Sequence, residues 1–391
     1  MKKHALFMKK KILILFGGKS GEHDVSLSSA ASVFAYLDPK KYTVIPVCIS
    51  KNGAWLSPSE SIQYLKTGDE VKRNLLDDET KAHFDISRSL TSTQPSGQTA
   101  RDNRTCDVVF PVLHGPYGED GTVQGFLELL GIPFVGSDTL ASALAMDKAM
   151  AKKVFRAEGI LTPRAWEMTA QNHDDILKEV SIPCVVKPVN LGSSVGITIV
   201  KSRDALAKAV KTAFLHDRKG HILIEEFIQG REVTVPILGE AALPVIEIVP
   251  KRTGDWFSYD VKYNPDLVDE IVPAHLSKEL TERAQETALK AHRALQCRHF
   301  SRVDIIIQEK TEDMYVLEVN TIPGLTNASL FPKAAQAAGI SFAQLLDRLI
   351  EEAMKTHQLP QQEKFIDELN ESKKEIAAGK GKILHSLKDL K

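Results

Sequence analysis

Three oxygen-bearing side chains late in the sequence raise the first chemical question. Asp304 lies in "SRVDIIIQ", and Glu318 and Asn320 lie in "YVLEVN". A polar turn around Thr311–Glu312 separates the two apolar stretches, which is the pattern of a hairpin. Strand period two puts Glu318 and Asn320 on one face, and a turn at that point sets Asp304 roughly opposite Glu318. Carboxylates buried between apolar strands are costly unless something pairs with them. A hard divalent cation offsets that cost, and Mg²⁺ takes a few carboxylates together with phosphate oxygens and water. A cross-strand ion pair with Arg302 is the alternative. Arg302 is two residues from Asp304, so it shares that face and could equally reach a phosphate.

Four other stretches carry chemistry. In "KILILFGGKSGEHDVSLSSAASVFAYL", Lys11 to Leu37, an apolar run meets a glycine pair and then a helix beginning near Ser20–Asp24. A Walker loop needs a glycine five positions before Gly-Lys-Ser, and Leu13 stands there, so that reading fails on spacing. Glu22 sits at the helix entry, at the carboxyl edge of the first strand, where open α/β sheets bind ligands. Its carboxylate either complements the helix N-terminus or receives a substrate ammonium group. The second stretch, "HGPYGEDGTVQG" from His114 to Gly125, crowds glycines into a turn after the strand "CDVVFPVL". The third, "VVKPVNLGSSVGITIV", ends a strand at Lys187 and runs through the glycine- and serine-bearing loop Asn190–Gly196. Such a loop can fold N–H groups over phosphate oxygens with lysine as a point charge; an ordinary hairpin turn is the alternative. Last, "NTIPGLTNASLFP" follows the Glu318 strand with a Pro-Gly turn and a helix start at Asn327–Ser329. Backbone N–H groups there suit an anion, such as a substrate carboxylate beside the metal.

The elements that must hold these residues follow from periodicity. "KILILF", "YTVIPVCI" and "CDVVFPVL" predict strands of a parallel sheet buried on both faces. The polar segment Trp55–Arg104 predicts a surface insertion. "ASALAMDKAMAKKVFRAEG" predicts one strong helix stopped by Gly159. "CVVKPVNLGSSVGITIV" and "HILIEEFI" predict strand-rich segments separated by a helix. "EVTVPIL" and "LPVIEIV", a long helix near Lys278–Leu295 and the hairpin complete a third region. From about Lys355 the chain is strongly charged and reads as a tail outside the core. The expected units are an N-terminal α/β substrate domain over 1–140 with its insertion at 55–104, a central domain over 141–233, a C-terminal domain with the metal site over 234–356, and a tail over 357–391. The sequence contains no internal repeat.

Bulk properties narrow the class. At 391 residues two or three domains are expected. A hydrophobic fraction of 43% with 26% charged residues is an ordinary globular balance with ample core-forming material. The net charge of −1 gives no support to a nucleic-acid or membrane-surface partner. Cys48, Cys106, Cys184 and Cys297 lie far apart and read as isolated buried thiols in a reducing compartment. The apolar run "ILILF" is shorter than a signal core and runs into glycines, and no stretch approaches the ~18 apolar residues of a membrane span. The expected location is the cytoplasm.

In this order the motifs resemble those of the D-alanine–D-alanine ligase family of the ATP-grasp superfamily, from about Ile12 to Glu352. "HGPYGEDGTVQG" and "LEVNTIPGLTNASL" are similar to its two signature segments, and "GSSVG" to its central glycine loop. The resemblance implies a three-domain ATP-grasp fold behind an N-terminal parallel-sheet domain, and ligation of two D-alanines through an acylphosphate, for peptidoglycan precursors. Lys148 of "AMDKAM" and Lys187 would contact ATP phosphates, with Asn190 and Ser194 on the nucleotide side. Glu225 would receive the adenine amino group, Glu226 and the backbone of Phe227 and Ile228 would lie at the ring edge, and Glu232 would hold the ribose. Asp304, Glu318 and Asn320 would hold two Mg²⁺ or Mn²⁺, with Glu318 shared. Arg302 and Gly324 would face the developing oxyanion. Glu22 would take the first substrate's ammonium, with Val25 and His114 beside it, and Ser329 and Leu330 the second's carboxylate. Ser193 belongs to the glycine-loop lid. "YDVKYN" resembles the family's mobile loop, with Lys262 towards the γ-phosphate and Tyr263 bonded to Ser193 and Glu22. Members that make D-alanyl–D-lactate tend to lack that tyrosine, so Tyr263 favours the dipeptide. The long insertion and the charged tail depart from the common pattern. A homodimer is the family's habit.

Overall fold

The computed structural model describes residues 9–65, 106–192, 195–217, 219–251 and 267–357. Strand β1 (Lys10–Gly17) pairs in parallel with both β2 (Tyr42–Ile49) and β3 (Val108–Pro111). The alternation of β1 splits its side chains between two cores. Ile12, Ile14 and Phe16 face one apolar cluster, and Leu13 and Leu15 face another. The sheet is therefore covered on both sides, which is why its strands read as unbroken apolar runs. Helix α1 (His23–Tyr36) covers one face with Ala30, Val33 and Phe34. Helix α2 (Pro58–Leu65) stands at the start of the expected insertion, and it is no loose loop. Ser61 is buried and its Oγ accepts the Cys48 N–H at 2.8 Å. Helix α3 (Thr122–Leu129) packs Val123 and Leu127 on the other face.

The single helix expected over Ala141–Gly159 is two. Helix α4 (Thr139–Met146) ends at Asp147, whose extended backbone (φ −86°, ψ 94°) breaks the run, and α5 (Lys148–Ala157) begins there. Asp138 and Asp147 each cap a helix, accepting from Ala141 N and Met150 N. The apolar period carries straight through the second cap, which hid it from the pattern. The break matters because it turns α5 so that Lys148 and Lys152, one turn apart, point the same way.

A second, antiparallel sheet runs β4–β7–β5–β6, from β4 (Ala165–Thr169), β5 (Cys184–Pro188), β6 (Thr198–Val200) and β7 (His221–Glu226). Between them lie α6 (His173–Glu179) and α7 (Arg203–His216). One sheet face packs on α7 through Val186, Ile222 and Ile224. Lys187, Leu223 and Glu225 therefore occupy the opposite face.

The third sheet runs β11–β10–β8–β12–β13, with β9 beside β8. Its strands are β8 (Gly230–Leu238), β9 (Ala241–Ala242), β10 (Ile246–Pro250), β11 (Val268–Ile271), β12 (Phe300–Gln308) and β13 (Met314–Asn320). Helix α8 (Lys278–Ala294) presses Ala284, Ala288 and Ala291 onto Val233, Val303 and Ile305. The boundary expected at 233–234 falls inside β8, which belongs whole to this sheet. After β13 the chain crosses back. Helices α9 (Leu330–Ala337) and α10 (Phe342–His357) bury Phe331, Leu345, Leu346 and Leu349 in the same cluster as Ile12, Ile14 and Phe16. The last described helix thus completes the core of the first sheet. Among the described residues no helix is long and apolar enough to cross a membrane.

Candidate active site

The expected hairpin is present and its register brings the three oxygen ligands together. Asp304 pairs with Glu318 across β12 and β13, and Arg302 pairs with Asn320. On the other side Asp304 faces Thr234 of β8, so one row crosses three strands: Thr234, Asp304, Glu318. Asp304 is saturated with hydrogen bonds. Arg302 grips both its oxygens at 3.0 Å, Thr234 Oγ1 donates at 2.5 Å, and Asn320 Nδ2 donates at 3.2 Å. Arg302 thus forms an ion pair within β12, not the cross-strand pair considered as the alternative to the metal, and it fixes the carboxylate in place. Lys148 Nζ stands 3.1 Å from Glu318 Oε2 and donates to Leu191 O at 2.7 Å.

Glu22 occupies the turn between β1 and α1. Gly17 and Gly18 take φ of 88° and 97°, and a Cβ on Gly17 would lie 2.2 Å from Ile49 O. Only glycine lets the chain turn that tightly against β2. Glu22 is the N-cap residue of α1, but its side chain makes no cap bond. A Cβ on Gly115 would lie 2.5 Å from Glu22 Oε2, and one on Gly192 would lie 3.1 Å from it. The carboxylate thus sits where the "HGPYG" turn and the "NLG" loop meet.

His114 is buried and uses both ring nitrogens, Nδ1 with Ile322 O at 3.1 Å and Nε2 with Ser29 Oγ at 3.2 Å. Burial lowers its pKa, so it ties the first sheet to the segment after β13 as a neutral ring. Glu119 escaped the reading of the sequence, although it lies inside a motif singled out there. Its oxygens accept from Gly115 N at 2.6 Å and Ile322 N at 3.3 Å. Burial first, and then the charge of Glu22, push its carboxyl up to about 8. The signal was the Gly-Glu-Asp-Gly spacing; the burial that perturbs the group is invisible in sequence.

Glu22, Val25, His114, Glu119, Arg302, Asn320, Gly324, Ser329 and Leu330 line one cavity of 510 Å³. Ser329 immediately precedes α9, and its Oγ accepts from Thr326 N at 3.1 Å. The lining offers a carboxylate, a helix N-terminus and the Arg302 guanidinium. That polarity suits amino acids bound by both their charged ends.

The residues expected on the nucleotide side are spread over α5, β5, β7, the connections after β5 and β7, and β8 of the third sheet. Lys187 and Lys148 are both buried. Lys187 reaches Glu225 at 2.8 Å. Asn190 Nδ2 is buried with no partner among the described residues, which suits a contact to a ligand. Glu226 differs from expectation. Its Oε1 accepts from Arg164 N at 2.8 Å, and the residue lines another cleft with Arg156, Thr162 and Arg164. The Phe227 N–H donates to Pro183 O at 3.3 Å, which leaves that backbone donor occupied. Glu232 lies on β8, opposite Ile306 and beside the Asp304 row, and Ile228 lies in the connection before β8. Ser193, Ser194, Lys262 and Tyr263 fall outside the described residues.

The oxygen set fits a hard cation in type. Asp304 and Glu318 are cross-strand partners, Asn320 Nδ2 lies 3.2 Å from Asp304 Oδ2, and Lys148 Nζ stands against Glu318, so three neighbouring residues carry the oxygens that a hard cation takes. Among the described residues no group of three or more His, Cys, Asp or Glu side chains is placed to hold a metal, so the amide is needed to make three ligands.

Comparison with known proteins shows the family. The family model for the D-ala D-ala ligase N-terminus matches residues 11–137, and that for the C-terminus matches 153–351. The D-alanine–D-alanine ligase of Natranaerobius thermophilus is 41% identical over 363 residues, covering 88% of this chain and 94% of that one. The crystal structure of VanG D-Ala:D-Ser ligase from Enterococcus faecalis superposes with a TM-score of 0.71 at 36% identity, covering 88% of this chain and 99% of that one. The D-alanine–D-alanine ligase of Bacillus anthracis, crystallised with ATP, gives a TM-score of 0.66 at 34% identity, with 89% and 99% covered. With the parallel N-terminal sheet and the two antiparallel sheets behind it, the fold is that of an ATP-grasp ligase, and the chain belongs to the D-alanine–D-alanine ligase family.

Proposed function

We propose that the chain joins two D-alanines into D-alanyl-D-alanine, using ATP and passing through an acylphosphate, to supply peptidoglycan synthesis. The observation that carries this reading is the single cavity in which Glu22, Arg302 and the start of α9 converge beside the Asp304–Glu318 row. Glu22 holds the ammonium of the first alanine, and Arg302 orients its carboxylate. Lys148 and Lys187 hold the ATP phosphates. A carboxylate oxygen attacks the γ-phosphorus, ADP leaves, and the carbonyl becomes an acyl donor. The second alanine, held by its carboxylate at Ser329 and Leu330, attacks with its amine after losing a proton. Arg302 and the Gly324 N–H face the oxyanion, and phosphate departs. Asp304, Glu318 and Asn320 would hold two divalent ions, Mg²⁺ or Mn²⁺, whose chemistry is to neutralise the phosphoryl charge.

Phosphate release from ATP near neutral pH, with D-alanine, L-alanine, D-serine or D-lactate, tests the assignment. D-Alanine alone should support release and yield the dipeptide. ATP binding without D-alanine-dependent release would leave only a nucleotide-binding protein. The likeness to VanG favours one further reading, D-serine as second substrate, and preferential use of D-serine or D-lactate beside D-alanine would replace the dipeptide. Glu318→Gln should lower turnover by orders of magnitude at saturating Mg²⁺ with an unchanged melting curve; full activity would remove the shared-ligand role. The reading includes a homodimer in the cytoplasm, and a monomer mass in sedimentation would remove the dimer.

A further inference from the structure

One charged group near the cleft has no place in that mechanism. Lys152 is 1% exposed, on α5 one turn beyond Lys148. Its Nζ meets Glu225 Oε1 at 2.9 Å and donates to Thr162 Oγ1 at 2.7 Å. Thr162 Oγ1 in turn donates to Val316 O at 2.8 Å, two residues before Glu318. Lys187 meets the same Glu225 oxygen from β5 at 2.8 Å. Two lysines therefore share one oxygen of a carboxylate that is itself 2% exposed, on the face of the second sheet turned away from its own core.

A single lysine would neutralise Glu225. The second adds charge to a dry site, and burial lowers the pKa of Lys152 to about 8, so the arrangement carries a cost that packing alone does not explain. Its effect on Glu225 is definite. Burial would raise that carboxyl, but Lys152 and then Lys187 outweigh it and hold it below its ordinary value. An ionised carboxylate only accepts hydrogen bonds, whereas a protonated one also donates. Both lysines lie at Oε1, which fixes the direction of Oε2.

We propose that Lys152 is a positioning residue for the nucleotide base: by sharing Glu225 Oε1 with Lys187 it keeps Glu225 a pure acceptor and aims Oε2 at the amino group of a 6-aminopurine, and so sets the preference for adenine over 6-oxopurines. This rests on the reading of Glu225 as the base-contacting residue. With Lys152 gone, one cation remains for a buried carboxyl, the acid form gains, and a donor to a 6-oxo group appears. The discrimination that is lost belongs to the class where a buried partner faces the wrong atom.

The test compares ATP and ITP, which differ at position 6, in the full chain and in Lys152→Met. Dissociation constants without D-alanine are measured beside KM for each nucleotide. The parent should prefer ATP. The variant should bind ATP about tenfold more weakly and show an ATP-to-ITP ratio about tenfold smaller, with KM for D-alanine unchanged. Thr162→Val removes the other partner of Lys152 and should shift the ratio the same way by a smaller factor, which keeps the test available if Lys152→Met does not fold. Lys152→Arg, which keeps the charge, should restore most of the preference. An unchanged ATP-to-ITP ratio in folded Lys152→Met, or in Thr162→Val where Lys152→Met does not fold, would overturn the proposal. A parent that binds and prefers ATP but releases no phosphate with D-alanine would instead defeat the ligase reading and leave this one standing.

Discussion

At the scale of single residues, burial holds Glu119 and His114 of the site out of their usual states. Glu119 is the clearest case, since burial and Glu22 raise its carboxyl to about 8. A carboxyl in an unfolded chain titrates near ~4.3. The native state therefore holds the extra proton between those values. The stability Glu119 contributes is full below about 4.3 and is lost as pH rises through about 8. Glu119→Gln, a neutral near-isostere, should remove that loss. Urea midpoints at pH 6 and pH 9 would show the parent weakening and the variant holding, by a difference on the order of 2–5 kcal/mol. Equal slopes would mean that Glu119 is ionised throughout. His299 works in the opposite direction. Burial lowers it to about 4, with Nδ1 accepting from Gly136 N at 3.0 Å and Nε2 bonded to Thr356 Oγ1 at 2.9 Å. Its contribution is present above about 6.5 and lost as pH falls through 4, up to ~3 kcal/mol. His299→Gln should flatten the acid limb of the stability curve between pH 6.5 and 4; an unaltered limb would assign it to the carboxylates alone.

At the scale of elements, the tight turns are what place the charges. Gly17 and Gly131 both take positive φ, but a Cβ on Gly17 would strike Ile49 O at 2.2 Å, and one on Gly131 would meet nothing within 4 Å. Gly131→Ala should cost about 1 kcal/mol and Gly17→Ala distinctly more, ~2–4 kcal/mol, with Glu22 displaced and D-alanine binding weakened. Denaturation midpoints for the two variants give the comparison, and equal costs would discount the contact with β2. Much at this scale was legible. β1 and β2 fall where the apolar runs do, β3 at the core of its run, and the Asp304–Glu318 pairing follows from hairpin arithmetic alone. The break at Asp147 was not read, because the apolar period runs through it. Nor was α2, whose buried Ser61 and Leu65 lie in a segment of polar composition. Composition averages over a stretch, and three buried residues are enough to dock it.

At the scale of the whole molecule, the sequence lists its parts in an order that the structure does not keep. α9 and α10 follow the third sheet in the chain but pack on the first, and His114 and Ile322 are joined across more of the sequence than any strand pairing spans. Periodicity identifies an apolar helix face; it carries no address for the surface that the face will meet. The first sheet emerges from the ribosome long before α9 and α10 are made. Until Phe331 and Leu346 arrive, the side of that sheet bearing Ile12 and Phe16 is half-clothed, and a nascent chain at that stage offers a sticky surface to chaperones and neighbours. The cavity lined by both Glu22 and Ser329 is thus complete only once α9 has joined the first sheet.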